Sequence, residues 1–245
     1  MKAWFHRLTS PKHFFEMTTG WSRSMSIVCS IFFAWGIYGA FFLAPPDYQQ
    51  GDAFRMLYVH VPSAFMSLGV YTALATAAVV SLVWRVKLAD YVIEAALPIG
   101  AWFTALALMT GAIWGKPMWG TWWIWDARLT SELILLFIYL AAITLSKALI
   151  HHSERDKIVA VFIVVGFVDI PIVHYSVIWW QTLHQGPSLS ALRMPTIDTH
   201  MLYPLLVMIL AFATYFLALG LYRVRMTLLW RERHTRWVKE FVENE

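Results

Sequence analysis

The chain has 245 residues, 59% of them hydrophobic and only 14% charged, and a mean hydropathy of +0.58. Soluble globular domains run at roughly 45–50% apolar and about 25% charged, so composition excludes a soluble fold and predicts a membrane protein. The formal net charge of +4 reads as a signal of membrane sidedness and not of nucleic-acid binding, and a single cysteine, Cys29, excludes an internal disulfide framework.

In chain order, "WFHRL" and "HFFEM" mix aromatic and basic residues ahead of the first apolar run. They suit amphipathic helices on the cytoplasmic leaflet or a docking surface for a cytoplasmic partner. Nothing before that run reads as a cleavable signal, so the first span is expected to stay. Apolar runs then recur at about 25–43, 61–84, 92–113, 133–150, 158–178 and 203–222, each near the ~20 residues that cross a bilayer as a helix. The expectation is one all-α domain over 1–245, a six-transmembrane helix bundle. Cys29 reads as a small packing residue in the first span. Pro62 is placed at a helix start, where its missing N–H costs nothing. Ala73-x-x-x-Ala77 and Gly111-x-x-x-Gly115 suggest close helix contacts. Residues 223–245, with "TLLWRERHTRWVKEFV", read as a basic amphipathic tail.

Lys and Arg decide the orientation. Of the 19, all but Arg55, Lys116, Arg128 and Arg193 fall in alternate segments that include both ends. Both termini are therefore expected to be cytoplasmic. The larger loops, about 44–60, 114–132 and 179–202, are expected on the outer side, where chemistry is expected.

That outer side gathers unusual residues. Five of the twelve residues 114–125 are tryptophan: Trp114, Trp119, Trp122, Trp123 and Trp125, with Asp126 and Arg128 next and Trp179 and Trp180 in the following loop. Interfacial tryptophan is ordinary, but this density exceeds a belt. If helical, the segment puts Trp119 and Trp123 on one face and Trp122 and Trp125 on another, plates suited to a large flat ligand. Among nine histidines, His60 and His184 flank the segment from different outer loops. His174 reads as a structural or supporting residue near the outer end of the fifth span, and His200 is left open. With Arg55 and Arg128 as cations, the set matches what haem requires: axial imidazoles, apolar walls and partners for the propionates. The absence of C-x-x-C-H excludes covalent attachment. Asp169, at mid-depth in the fifth span, is a functional candidate by default or a neutral acid bonded to a backbone kinked near Pro171. Glu132 reads as an acid favouring a helix N-terminus.

The spacing W-G-x-x-W-x-W-D at Trp119-Gly120, Trp123, Trp125 and Asp126 resembles the WWD signature of haem-handling membrane proteins. Together with Arg128-Leu129-Thr130, six spans and the short chain, it resembles the haem exporter C (CcmC) family of cytochrome c maturation. The resemblance implies a WWD segment, 114–130, in the second periplasmic loop of a bacterial inner-membrane protein. It implies haem b held non-covalently as transient cargo, with His60 and His184 as axial ligands. The tryptophans and Asp126 would form the shelf and docking surface, and Arg55 and Arg128 would contact the propionates. It further implies delivery to the haem chaperone CcmE and assembly with the ATP-binding-cassette subunits CcmA and CcmB and the small CcmD. The chain itself is not expected to be an enzyme: "GAIWGKP" lacks the spacing and the Ser or Thr of a phosphate loop.

Two other classes compete. A b-type cytochrome passing electrons to quinone would carry its ligands within the spans and not at one edge. A glycan or lipid transferase would need clustered acids or a metal site, and Asp47, Asp52, Asp126, Glu132 and Asp198 show no such spacing.

Overall fold

The structure, a computed structural model, describes residues 9–148, 152–180, 182–184 and 197–243. "WFHRL", Lys2, Arg7, His151, Arg193 and most of the third outer loop lie outside the described residues. Within them the chain is helical and forms no strand. Short α1 (Pro11–Met17) is followed by α2 (Trp21–Tyr38), whose last turn widens to a π-turn over Gly39–Leu43. A 3-10 turn (Asp52–Met56) leads into α3 (Leu57–Trp84), and α4 (Lys87–Trp119) and α5 (Ala127–Ala148) follow. The fifth span is split into α6 (His152–Gly166) and α7 (Asp169–Trp179) before α8 (Thr199–Arg231) and α9 (Arg236–Glu243). Six segments are long and apolar enough to cross a membrane: Trp21–Leu43, Asp52–Trp84, Lys87–Trp119, Ala127–Ala148, Glu154–Trp179 and Thr199–Arg231. This is a multi-pass membrane protein.

The observed helices overrun the apolar runs. α4 reaches Trp119, and α8 continues to Arg231, so the first third of the basic tail belongs to the last span. Hydropathy marks the part of a helix that suits lipid, whereas a helix ends where its backbone finds a cap. Gly120 supplies one, with φ +77 and its N–H on Lys116 O at 3.1 Å. Pro62 is not at a helix start: α3 begins at Leu57, and Pro62 is buried inside it. His60 therefore sits in the first turns of a helix and not in a loop.

α4 lies at the centre, against α3, α5 and α8. α2 is peripheral and packs along α8. Small residues seven apart allow that approach: Ser22 donates to Ala218 O (3.3 Å), Cys29 faces Ala211 O (3.8 Å), and a Cβ on Gly36 would strike Met208. In the core three buried tyrosines each donate to a carbonyl of another helix. Tyr58 reaches Met201 (3.2 Å), Tyr71 reaches Ile163 (3.1 Å) and Tyr139 reaches Ser67 (2.9 Å). Where lipid removes most of the hydrophobic drive, such bonds and tight packing hold helices together.

The end of the bundle opposite the tryptophans is held by charge. Arg155 Nη2 lies 3.1 Å from Glu94 and 3.0 Å from Asp156, and Arg231 reaches Glu94 at 3.1 Å and also pairs with Asp156. The cluster joins α4, α6 and α8. Beside it the two chain ends meet. Phe15 of α1 packs against Trp237 and Phe241 of α9 (ring centroids 5.7 and 5.0 Å) beneath the Arg225 guanidinium, 3.8 Å from the ring. The apolar faces of "HFFEM" and of the tail thus cover each other as well as the ends of α4 and α8.

Candidate haem site

The tryptophan segment lies at one end of the bundle, between the C-terminus of α4 and the N-terminus of α5. The helical reading of the segment fails after Trp119. From Gly120 to Asp126 the chain is non-helical, so Trp119 and Trp123 do not share a helix face. Trp114 and Trp119 remain on α4 and line a cavity. Trp123 is half-buried, meeting Trp125 at 5.5 Å, and Trp122 and Trp125 point outward, 57% and 76% exposed. Asp126 stops the irregular run: its Oδ1 accepts the Leu129 N–H at 2.8 Å and caps α5.

His60 and His184, distant in sequence, come to the same cavity, lined also by Gln50, Gly111, Trp114, Gly115, Met118, Trp119 and Leu183. Each imidazole meets one indole edge-on: His60 with Trp114 at 5.8 Å and His184 with Trp119 at 4.8 Å. His60 Nδ1 lies 3.0 Å from Ala107 O and 3.2 Å from Thr110 Oγ1. With a proton on Nδ1 donating to these acceptors, Nε2 keeps its lone pair for a metal. Burial pushes the His184 imidazole below its ordinary value. Arg128 pushes it the same way and Asp126 opposes both. The net shift is downward and favours the neutral imidazole that ligation requires.

A second, smaller cavity lies beneath, lined by His60, His184, Arg128, Leu129 and Glu132 among others. Arg128 is thus brought to the histidine pair, held by a bond to Val173 O of α7 at 2.7 Å. Arg55 is not. Its Nε pairs with Asp52 at 2.9 Å, and its Nη1 donates to Ala40 O and to Ala44 O at 3.4 Å, tying the π-turn to the 3-10 turn. Glu132 is five residues into α5, too deep to serve its N-terminus. It is buried and 2.7 Å from Ser67 Oγ of α3. His174 and His200 are exposed and line neither cavity. Asp169 begins α7 just after the break, 7% exposed, with Oδ2 unpartnered among the described residues.

Sequence reasoning missed Gln50, Thr110 and Gly111. Gln50 accepts the Trp114 indole N–H at 3.0 Å and is presented by a turn that Asp47 ties to the backbone of residues 49 and 50. No motif announces it. Gly111 was visible as half of a small-residue pair, but its space is filled by the His60 ring, not by a helix: a Cβ there would lie 3.0 Å from His60 Cε1. Gly115 likewise makes room for Trp119.

The donor set fits haem: two imidazoles, indole walls and one cation. The cavity between the described residues is about 100 Å³, room for a few waters and for the edge of a macrocycle only. An open groove of about 710 Å³ adjoins it at Leu183, lined by Ile124, Asp126, Ile178, Trp179 and Trp180 among others.

Fold and site define a six-span membrane protein with a histidine pair and an indole-walled cavity at one end of the bundle. Comparison with known proteins narrows the class. The family model described as heme exporter protein C matches residues 4–239. The chain is similar to heme exporter protein C of Haemophilus influenzae, 44% identical over 99% of both chains. It is 42% identical to that of Escherichia coli K12 over 97% of this chain and 96% of the relative. A putative cytochrome c biosynthesis ccmC-like mitochondrial protein of Marchantia polymorpha is 43% identical, covering 81% of this chain and 83% of the relative. The chain belongs to the heme exporter protein C family.

Proposed function

We propose that this protein carries haem in the biogenesis of c-type cytochromes, binding it at the periplasmic face of the bacterial inner membrane. Haem b is non-covalent, transient cargo, ligated by His60 and His184 and walled by Trp114 and Trp119. Arg128 is the nearer propionate partner; Arg55 reaches one only by releasing Asp52 or the carbonyls of the π-turn. Trp122 and Trp125, both exposed, form the surface on which the chaperone CcmE docks to take the haem. CcmA, CcmB and CcmD complete the complex, with ATP hydrolysis in the partner subunits and not in this chain.

One observation carries the reading. Two histidines 124 positions apart in sequence meet at one cavity, each against its own tryptophan, and the haem-exporter relatives match the chain almost end to end. The decisive experiment is an oxidised and reduced absorption spectrum of the purified protein and of His60→Ala and His184→Ala. A six-coordinate bis-imidazole spectrum that is lost or altered in both variants supports the ligand pair. Haem held unchanged by both variants refutes it.

A further inference from the structure

The two histidines are backed unequally. Behind His60, the acceptors for Nδ1 are neutral, the Ala107 carbonyl and the Thr110 hydroxyl. Behind His184 stands a carboxylate. Asp126 Oδ2 lies 3.8 Å from His184 Nδ1, with the Asp126 side chain only 8% exposed. Both atoms are buried, and neither has a hydrogen-bond partner among the described residues. A buried polar atom left unpaired is costly, and these two face each other about 1 Å beyond bonding distance. Asp126 is fixed from the other side, where Oδ1 caps α5 through Leu129 N. Closing the gap would fall to the imidazole, at the edge of Trp119.

A ring N–H donated to a carboxylate fixes the tautomer of a ligating histidine and raises the basicity of the nitrogen on the metal; a carbonyl or hydroxyl does less. We propose that Asp126 closes onto His184 when the site is loaded and makes the two iron ligands unequal. His184 is the ligand that is retained, and His60 is the one exchanged when haem is passed on. The proposal rests on the haem-binding reading above. It makes Asp126, with its side chain buried and turned toward His184, a positioning residue for that histidine and not part of the exposed docking surface.

The test uses the full-length protein loaded with haem. In ferrous His60→Ala only His184 remains on iron, and in His184→Ala only His60. The resonance Raman iron–histidine stretch reports the hydrogen bond at the far ring nitrogen. The expected result is a higher frequency in His60→Ala than in His184→Ala. Adding Asp126→Asn lowers it in the first background and leaves the second unchanged. Asn keeps an acceptor for Leu129 N–H, so the start of α5 is preserved, while haem affinity in Asp126→Asn alone falls by about 10–100-fold. Equal frequencies in the two backgrounds, or no response to Asp126→Asn, overturns the proposal. Should the single histidine variants hold no haem, the midpoint potential of Asp126→Asn against wild type decides. A shift to more positive potential supports the anionic acceptor, and an unchanged potential overturns it. A wild type lacking a bis-imidazole spectrum sinks the haem-ligand reading itself, a separate outcome.

Discussion

The indole N–H of Trp114 donates to the side-chain oxygen of Gln50 at 3.0 Å. This bond fastens the loop between the first two spans to the wall of the histidine cavity, on the Trp114 side that also touches His60. Gln50→Leu removes the acceptor and leaves the N–H bare, a loss of about 0.5–1.5 kcal/mol for a bond of this kind. Haem titration of purified protein should show weaker binding in Gln50→Leu. Trp114→Phe combined with it should cost less than the sum of the two single losses, because both remove one contact.

Gly111 gives the His60 ring its room. In Gly111→Ala the new methyl lies 3.0 Å from Cε1 and 3.4 Å from Nδ1, so the His60 ring must shift by a few tenths of an ångström against its bonds to Ala107 and Thr110. Haem affinity should fall and the low-spin spectrum broaden, while far-ultraviolet circular dichroism stays that of the wild type. An unchanged haem titration would show that His60 is not held in the place that binding requires.

Gly100 serves the fold instead. A Cβ there would lie 2.3 Å from the buried ring of Tyr139, whose hydroxyl bonds Ser67 O across the bundle. Gly100→Ala should therefore lower stability by about 1–3 kcal/mol, the usual cost of overpacking, read as a lower thermal midpoint in detergent.

The ionic cluster at the far end predicts a contrast between charges. Arg155→Met leaves Glu94 and Asp156 short of a partner in a mostly buried setting, where Arg155 is 10% exposed at its side chain. Removing one member of a buried pair costs about 3–5 kcal/mol, less here because Glu94 is one-third exposed. Lys12→Ala, which breaks a pair with both side chains more than half exposed, should cost about 0–1 kcal/mol. Thermal midpoints of the two variants side by side check the order.

Phe15 is the hinge pin of the two chain ends. Phe15→Ala removes the ring beneath Arg225 and against Trp237 and Phe241, a loss of about 3–5 kcal/mol for a buried Phe. The C-terminal helix α9 should then become cleavable by limited proteolysis at protease levels that leave the wild type intact.

The sequence made some of this legible and hid the rest for physical reasons. Six spans could be read because lipid sets a length and a composition. Helix ends could not, because Gly120 and Asp126 set them by backbone geometry and capping, which hydropathy does not sense. His60 and His184 could be picked out beside the tryptophans, but only the fold shows that they reach one cavity. Arg55 and Arg128 looked alike as outer cations. Packing separates them: one is bound to Asp52 and the π-turn, and the other is brought under the histidines by Val173. Gln50 had no signature, since its role depends wholly on a partner 64 residues away.

The broken fifth span gives the bundle a joint. α6 is anchored at the far end through Arg155 and Asp156, while α7 carries the acceptor for Arg128 and ends in the Trp179–Trp180 rim of the groove. Between them, at Gly166 to Val168, the regular ladder is interrupted beside Tyr71. The backbone tightens there to i−3 bonds, Val168 N–H to Val165 O at 3.3 Å and Ile170 N–H to Phe167 O at 3.1 Å, and a mid-helix stretch of this kind is where a hinge forms. Bending at this joint would shift the groove rim while the ion-paired far end of the bundle stays in place.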